Sequence, residues 1–363
     1  MDLYLDANAT ETLRPEARAA VLSALDLAGN PASVHAAGRE ARRVLEAARE
    51  AVAAAFGAAP GDVVLTAGGT EANAIAVRGL AEGRRVLVGA TEHPAVLAAA
   101  PGAAMLPVLP DGTLDLDALE AALRAGPSAL VCLMAANNET GVLHPLAQAA
   151  ALCRAQGALL HVDAVQAAGR VPVSLAALGA DSLAISGHKL GGPKGAGALL
   201  LRPGLALPAL IAGGGQEKGR RGGTEPLPAI AGLGAAASAA RPEAATRLAA
   251  LRDAIETACI AQGAEVAGQG APRLPNTTSL ILPGVAAETQ VIALDLAGVR
   301  VSAGAACSSG KVARSHVLAA MGLGDRAGQA IRVSLPWNTP EDAPARFVAA
   351  WVAMREKLAR RAA

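Results

Sequence analysis

From Val63 to Leu201, short apolar runs alternate with longer segments that carry hydrophobic residues at helical spacing. The runs Val63–Thr66, Arg85–Gly89, Ala129–Met134 and Ser182–Ile185 have the length and character of buried strands. Strands that alternate with helices in this way form a mostly parallel sheet with helices on both faces. The pattern therefore predicts an α/β fold.

Polar side chains follow these strands at the points where the apolar runs end. The carboxyl ends of parallel strands meet at one edge of a sheet, where α/β proteins place their chemistry. We therefore expect one cluster of polar side chains at this edge, drawn from Gly69, Thr70, His93, Asn138, Asp163, Gln166, Ser186, His188 and Lys189.

Strand patterning also occurs outside this block. Leu3–Leu5 is a short strand-like run at the start of the chain. Beyond an alanine-rich helical stretch from Pro226 to Ala264, strands are predicted at Thr277–Leu282 and around Arg332, and a last helix from about Glu341 to Arg360. We predict a large domain over residues 13–250, and a smaller α+β domain formed by residues 1–12 and 251–363.

Charge and composition exclude several classes of protein. The 363 residues carry 32 Lys and Arg against 31 Asp and Glu, so nothing favours nucleic acid or an anionic membrane as a partner. There is no uninterrupted apolar span of about 20 residues and no signal-peptide pattern, so a cytoplasmic location is expected. The four cysteines are scattered without metal-binding spacing, which indicates a reducing compartment and no metal site.

The residues after the strands each allow a purely structural interpretation and a functional one. Lys189 could be a solvated surface charge or a Schiff-base lysine. Gly68-Gly69-Thr70 before a helix could be an ordinary turn or an anion site, and His93 a capping residue or a ring stacked on a planar ligand. Asp163 at a strand end is costly unless it is paired, and Arg332 among apolar residues requires a carboxylate.

Two loops complete the set of candidates. Cys307 lies among small residues in Ala305–Gly310 and is a candidate nucleophile, unlike Cys132, which is predicted to be an inert core thiol. The segment Gly213–Glu225 is interpreted as a flexible basic loop. An amine nucleophile, a carboxylate, an anion site and a histidine together are what pyridoxal 5′-phosphate needs.

Several motifs in a fixed order strengthen that interpretation. On these motifs the chain resembles the NifS-like cysteine desulfurases of the class V aminotransferase superfamily, which have the pyridoxal-phosphate fold type I. The matching segments are Leu5–Thr10, Gly68–Asn73, Asn137–Gly141, His161–Gln166, Ser186–Lys189 with Gly192–Gly195, Gly213–Glu217 and Ala306–Gly310.

The resemblance implies roles for the cofactor site. Lys189 would hold the cofactor and move protons, Asp163 would pair with the ring nitrogen, and Gln166 would bond the ring hydroxyl. His93 would cover the ring. The phosphate would be held by Gly69, Thr70, Ser186 and His188, with Thr224 reaching it from the other subunit of a homodimer.

The resemblance also implies the reaction. Asn138 and Arg332, with Asn8 nearby, would bind the substrate carboxylate. Cys307 would take the sulfur of L-cysteine as a persulfide, leaving L-alanine, and pass it to an iron–sulfur scaffold or a tRNA-thiolation protein. Selenocysteine lyase, another class V enzyme such as an aminotransferase, and a non-catalytic sulfur-relay partner are the alternatives.

The chain departs from the family pattern at a few positions. Ala7 stands where Asn is common, and Glu11 where a second Thr is common. Pro226 stands in place of Asn, Arg314 in place of Pro and Pro336 in place of Gly. None of these changes removes a residue to which the resemblance assigns a catalytic role.

Overall fold

The computed structural model describes residues 2–242, 245–304, 307–308, 311–312 and 314–362. A seven-stranded sheet occupies the middle of the chain, in the order β2-β8-β7-β6-β5-β3-β4. Its strands are β2 Val63–Thr66, β3 Arg85–Gly89, β4 Ala104–Leu106, β5 Ala129–Met134, β6 Leu159–Asp163, β7 Ser182–Ser186 and β8 Gly197–Leu201. Neighbours from β4 to β7 are parallel, whereas β8 is antiparallel to both β2 and β7. The prediction of a mostly parallel α/β sheet is confirmed.

Helices cover both faces of this sheet. They are α1 Pro15–Leu25, α2 Ala36–Phe56, α3 Gly69–Leu80, α4 Pro94–Ala99, α5 Leu116–Arg124, α6 Leu146–Ala155, α7 Leu175–Leu178 and α8 Leu227–Ala239. Two apolar clusters lie on the two sides of the sheet, one that includes Leu133 of β5 and one that includes Ile75 of α3. Asp115 caps α5 by accepting from the Ala118 N–H, as its position before the helix predicts.

A second, smaller core lies around an antiparallel sheet in the order β14-β10-β9. Its strands are β9 Glu265–Val266, β10 Thr277–Ile281 and β14 Ala330–Ser334, and β1 Leu3–Tyr4 pairs in parallel with β11 Val299–Arg300 nearby. A two-stranded ladder joins β12 Cys307–Ser308 to β13 Lys311–Val312, and the helices are α9 Ala245–Ile260, α10 Ala287–Leu296, α11 His316–Ala320 and α12 Ala343–Ala362. The domain boundaries given above stay a prediction.

The structure corrects two sequence-based interpretations. The helical stretch predicted from Pro226 to Ala264 is two separate helices, α8 and α9. The loop Gly213–Glu225 is not free throughout, because the buried carboxylate of Glu217 accepts from Arg49 Nη1 at 2.6 Å and Nη2 at 2.8 Å. It also accepts from the Leu65 N–H at 2.8 Å, which ties the loop to β2.

Neither a membrane span nor a metal site is found in the part of the chain that the structure describes. No helix there is long and apolar enough to cross a membrane. No group of three or more His, Cys, Asp or Glu side chains there is placed to hold a metal ion.

Candidate active site

A cavity of about 380 Å³ opens at the carboxyl ends of the parallel strands. Its lining comes both from loops that follow strands of the large sheet and from residues around the small sheet, including Ser302, Gly304 and His316. Most of the predicted site residues line it: Asn8, Gly69, Thr70, His93, Asn138, Asp163, Gln166, Ser186, His188, Lys189 and Arg332. The expectation that these side chains gather at one edge of the sheet is met.

Lys189 lies one turn beyond β7, in the 3₁₀ turn Gly187–Lys189. Its Nζ donates to the backbone oxygens of Asn8 and Ala9, the latter at 3.0 Å. Burial, followed by the charges of Arg170 and Arg332, lowers the pKa of Lys189 to about 7, against the opposing effects of Asp6 and Asp163. A lysine with such a pKa is partly neutral at physiological pH and can act as a nucleophile or a base.

The carboxylate of Asp163 forms the floor of the cavity at the end of β6. Its Oδ2 accepts from Asn73 Nδ2 at 2.7 Å, and its Oδ1 accepts from the Val165 N–H at 2.9 Å. Asn73 Oδ1 lies 2.9 Å from His161 Nε2, and His161 Nδ1 lies 2.8 Å from Ser182 Oγ. We call this chain of side chains (Asp163, Asn73, His161 and Ser182) the floor network.

Proton positions in the floor network follow from one starting point. A carboxylate accepts, so the Asn73 amide nitrogen faces Asp163 and its oxygen must accept from His161 Nε2–H. His161 Nδ1 is then an acceptor for the Ser182 hydroxyl. Burial lowers the pKa of His161 to about 3, so the ring is neutral and the network holds a single orientation. Sequence reasoning assigned no role to His161 or Ser182.

The start of α3 faces the cavity through Gly69 and Thr70. Gly68 precedes the helix with a φ of 153°, a conformation that favours glycine, and no side chain caps the first turn. A Cβ on Gly69 would approach Val165 Cγ2 to 2.6 Å, so only glycine fits beside this wall of the cavity. The first N–H groups of α3 are therefore available to an anion, with Ser186 lining the same space.

Two residues after β3 behave differently from each other. His93 caps α4, since its Nδ1 accepts from the Ala95 N–H at 3.1 Å, yet it also lines the cavity with its outer surface exposed. The capping interpretation of this histidine is met, and stacking on a planar ligand stays a prediction. Glu92, which sequence reasoning did not single out, is fully buried, and its Oε1 accepts from the Met134 N–H at 2.5 Å. Burial raises the pKa of Glu92 well above its usual range.

Arg332 forms the opposite wall of the cavity, on β14 of the small sheet. Its Nη2 donates to Asp6 Oδ1 at 2.7 Å and its Nη1 to the Asn138 backbone oxygen at 3.0 Å. The expectation that this cation has a carboxylate partner is met by Asp6. Asn8 Nδ2 donates to the same Asn138 oxygen at 3.0 Å, so Asn8, Asn138 and Arg332 meet at one point of the wall.

The two other predicted site residues are Thr224 and Cys307. Thr224 is exposed and lies outside its lining. The backbone of Cys307 forms β12, but its side chain and the neighbouring residues 305–306 and 309–310 lie outside the described residues. Ser315 Oγ donates to the buried Glu139 at 2.6 Å and so fixes the chain just beyond this segment.

Comparison with known proteins gives a consistent family. The model of the family described as aminotransferase class-V matches residues 3–344. A protein of Cereibacter sphaeroides named cysteine desulfurase is 44% identical over 357 residues, covering 93% of this chain and 92% of the relative. One of Trichormus azollae with the same name is 41% identical and covers 88% and 84%. The solved structure of a NifS-like protein from Rickettsia africae has a TM-score of 0.91 at 32% identity, covering 98% of this chain and all of that one.

Proposed function

This chain belongs to the aminotransferase class-V family, and we propose that it is a cysteine desulfurase, which converts L-cysteine to L-alanine and transfers the sulfur to an enzyme cysteine. The relatives that carry this name cover most of the chain at 41–44% identity. The observation that carries the proposal for the site is the meeting of Lys189, Asp163 and Arg332 in one cavity. A neutralisable amine, a buried carboxylate and a cation are the three charges that a pyridoxal enzyme needs around an amino acid.

The residues present fit pyridoxal 5′-phosphate. When bound, it supplies an aldehyde for a lysine amine and a ring that stabilises negative charge at the substrate α-carbon. Lys189 would hold it. Asp163, whose carboxylate is oriented by the floor network, would pair with the protonated ring nitrogen. Gly69, Thr70, Ser186 and His188 would hold the phosphate at the α3 N-terminus, with Gln166 at the ring hydroxyl and His93 over the ring.

The chain's own residues then divide the work on the substrate. Arg332 and Asn138, beside Asn8, would bind the substrate carboxylate, and Lys189 would move the proton at the α-carbon. Cys307 would attack the substrate sulfur as a thiolate: the S–S bond forms, the C–S bond breaks, and its electron pair stays on carbon, which is protonated to give alanine. The sulfur stays on Cys307 as a persulfide for an acceptor protein, an iron–sulfur scaffold or a tRNA-thiolation protein.

The test is to supply L-cysteine and a thiol reductant to purified protein loaded with pyridoxal 5′-phosphate. Equal amounts of alanine and sulfide are expected, because the reductant releases each persulfide sulfur as sulfide. Selenocysteine supplied in parallel separates a selective lyase from a desulfurase. Transamination products without sulfide would overturn the proposal.

The proposal includes a homodimer in the cytoplasm, in which each site borrows Thr224 from the other subunit. Thr224 is exposed and outside the cavity of its own chain, while Glu217 anchors the preceding part of the loop. Arg220 belongs to the same basic loop as Thr224. Mixing Lys189→Ala subunits with subunits that carry both Thr224→Ala and Arg220→Ala should restore some activity in heterodimers. Activity that stays absent in verified heterodimers would show that each site is built within one chain.

A further inference from the structure

Arg170 is a buried cation directly behind the cavity, in the turn after β6. Its side chain is 5% exposed. Nη1 donates to Gln166 Oε1 at 2.5 Å and to the Gln166 backbone oxygen at 3.2 Å. Nη2 donates to the Ala7 backbone oxygen at 3.1 Å. A cation in such a place is costly, so these contacts need a reason beyond filling space.

The first consequence concerns the amide of Gln166. Because Oε1 accepts from Arg170, the other end of the amide must be the nitrogen, which donates to the Asn8 backbone oxygen at 3.0 Å. Gln166 lines the cavity, so its donor end is the one fixed on the Asn8 side. The Asn8 oxygen can only accept, so it favours the same orientation, and Arg170 strengthens it with a charge-assisted hydrogen bond to Oε1.

The second consequence concerns Lys189, whose Nζ donates to the same Asn8 oxygen. Arg170 and Arg332 oppose the protonated form of Lys189, while Asp6 and Asp163 favour it. His93 and His188 are the titratable rings beside it. After burial, Arg170 has the largest effect among these groups in lowering the pKa of Lys189. A guanidinium suits this place because it keeps its charge at any physiological pH.

Glu11 holds Arg170 in place from the other side. Its Oε2 lies 3.8 Å from Arg170 Nη2, and both side chains are 5% exposed. The carboxylate is itself fixed, since Oε1 accepts from the Thr12 N–H at 2.9 Å and the Trp337 N–H at 3.3 Å. Glu11 and Arg170 therefore form a buried ion pair behind the cavity.

We propose that Arg170 is a positioning residue of this site, which orients the Gln166 amide and places a permanent positive charge behind Lys189, with Glu11 as its anchor. The amide role rests on the proposed cofactor. The charge role does not, because Lys189 is present and reactive in protein without cofactor.

The first experiment uses cofactor-free protein and measures how fast a limiting acylating reagent labels Lys189 at several pH values. Peptide mapping compares it with the exposed Lys194 in the same sample. In Arg170→Met the apparent pKa of Lys189 should rise by about one unit, since a neighbouring charge has been removed. Labelling of Lys189 relative to Lys194 near pH 7 should fall about fivefold.

A matched control is Arg14→Met. Arg14 is half-buried, stacks on Trp337 and donates to the Leu190 oxygen, but has no place among the charges that act on Lys189. This variant should keep the wild-type labelling profile. An equal shift in both variants, or an unchanged profile in folded Arg170→Met, would overturn the charge role.

Two further variants keep the test decisive. Glu11→Gln with Arg170→Met removes both charges and avoids an unpaired buried carboxylate, so it covers the case in which the single variant does not fold. The same rise in the apparent pKa of Lys189 is expected, and a wild-type labelling profile would overturn the charge role.

Arg170→Lys keeps a charge but loses the planar fork. It should label like wild type, while the pH midpoint of the bound cofactor's visible absorbance moves, by less than in Arg170→Met, which also loses the charge. A wild-type midpoint in folded Arg170→Lys would overturn the amide role, whether or not sulfide is produced.

Discussion

The floor and the Arg332 wall of the cavity hold their charges in different ways. In the floor network both Asp163 oxygens accept hydrogen bonds, and the chain continues through Asn73 and His161 to Ser182. On the wall, Arg332 donates to Asp6, whose side chain is 21% exposed, and its buried Nε has no protein partner among the described residues. Both carboxylate oxygens of the floor therefore have hydrogen-bond partners, whereas Arg332 on the wall can donate a further hydrogen bond.

This difference matches what each side would bind. A cofactor stays, so the group that holds its ring is best fixed by a satisfied network in a low-dielectric setting. A substrate comes and goes, so the cation that binds its carboxylate must exchange partners at little cost. Asp6 occupies the place of such a partner, and a substrate carboxylate offers Arg332 the same kind of charge-assisted hydrogen bond.

Lys189 lies between floor and wall, and removing it should have the largest effect. Lys189→Ala is expected to lose desulfurase activity by at least about 10³-fold, because it removes both the nucleophile and the proton-transferring group. The exposed Lys194→Ala is the control and should retain activity. Borohydride reduction of the loaded enzyme should place the pyridoxyl label on Lys189, and a label on Lys194 would contradict the assignment.

Replacing Cys307 should separate binding from turnover. Cys307→Ala removes the proposed sulfur acceptor but neither floor nor wall, so L-cysteine should still change the absorbance of the bound cofactor while sulfide release nearly stops. Cys132→Ala is the control: this thiol is fully buried in β5, so the change should lower the melting temperature more than the rate. Sulfide production near the wild-type level in Cys307→Ala would refute the mechanism.

Paired variants test the difference between floor and wall directly. Asp163→Asn removes the floor charge and should lower kcat about 10²-fold or more, with weaker retention of the cofactor. Arg332→Lys keeps a cation but loses its fork, and should raise the KM for L-cysteine about tenfold or more with a smaller change in kcat. Steady-state kinetics on both variants measure these effects. If Asp163→Asn changed mainly KM and Arg332→Lys mainly kcat, the roles assigned to floor and wall would be wrong.

The sequence was sufficient for the sheet and for most of the cavity lining, because both follow from residues just after apolar runs. It was insufficient wherever a partner is remote along the chain. Arg332 was expected to need a carboxylate, but only folding shows that Asp6 supplies it. Glu217 was assigned to a flexible loop because nothing near it in sequence indicates Arg49. His161 and Ser182 lie inside strands, where local pattern predicts burial but not the hydrogen bonds that join them through Asn73 to Asp163.

The smallest expected effect tests the floor network through its pH dependence. The pKa of His161 is about 3 in the folded protein and about 6.5 in an unfolded chain, so the unfolded state binds the additional proton. The contribution of the neutral His161 ring to the free energy of unfolding is therefore complete above about pH 6.5 and is lost as the pH falls toward 3. The loss is about 2 kcal/mol at pH 5.

Urea unfolding at pH 7.5 and at pH 5 measures this loss. His161→Gln cannot be protonated, so its stability should fall by about 2 kcal/mol less than wild type between the two pH values. His144 is a matched histidine away from the floor network, buried beside Leu114, with a pKa lowered by burial to about 4. His144→Gln should relieve the loss by a similar amount but leave the pH dependence of the bound cofactor's absorbance unchanged, whereas His161→Gln should shift it. If neither variant alters the pH dependence of unfolding, His161 is not held neutral, and the floor network lacks the single orientation assigned to it.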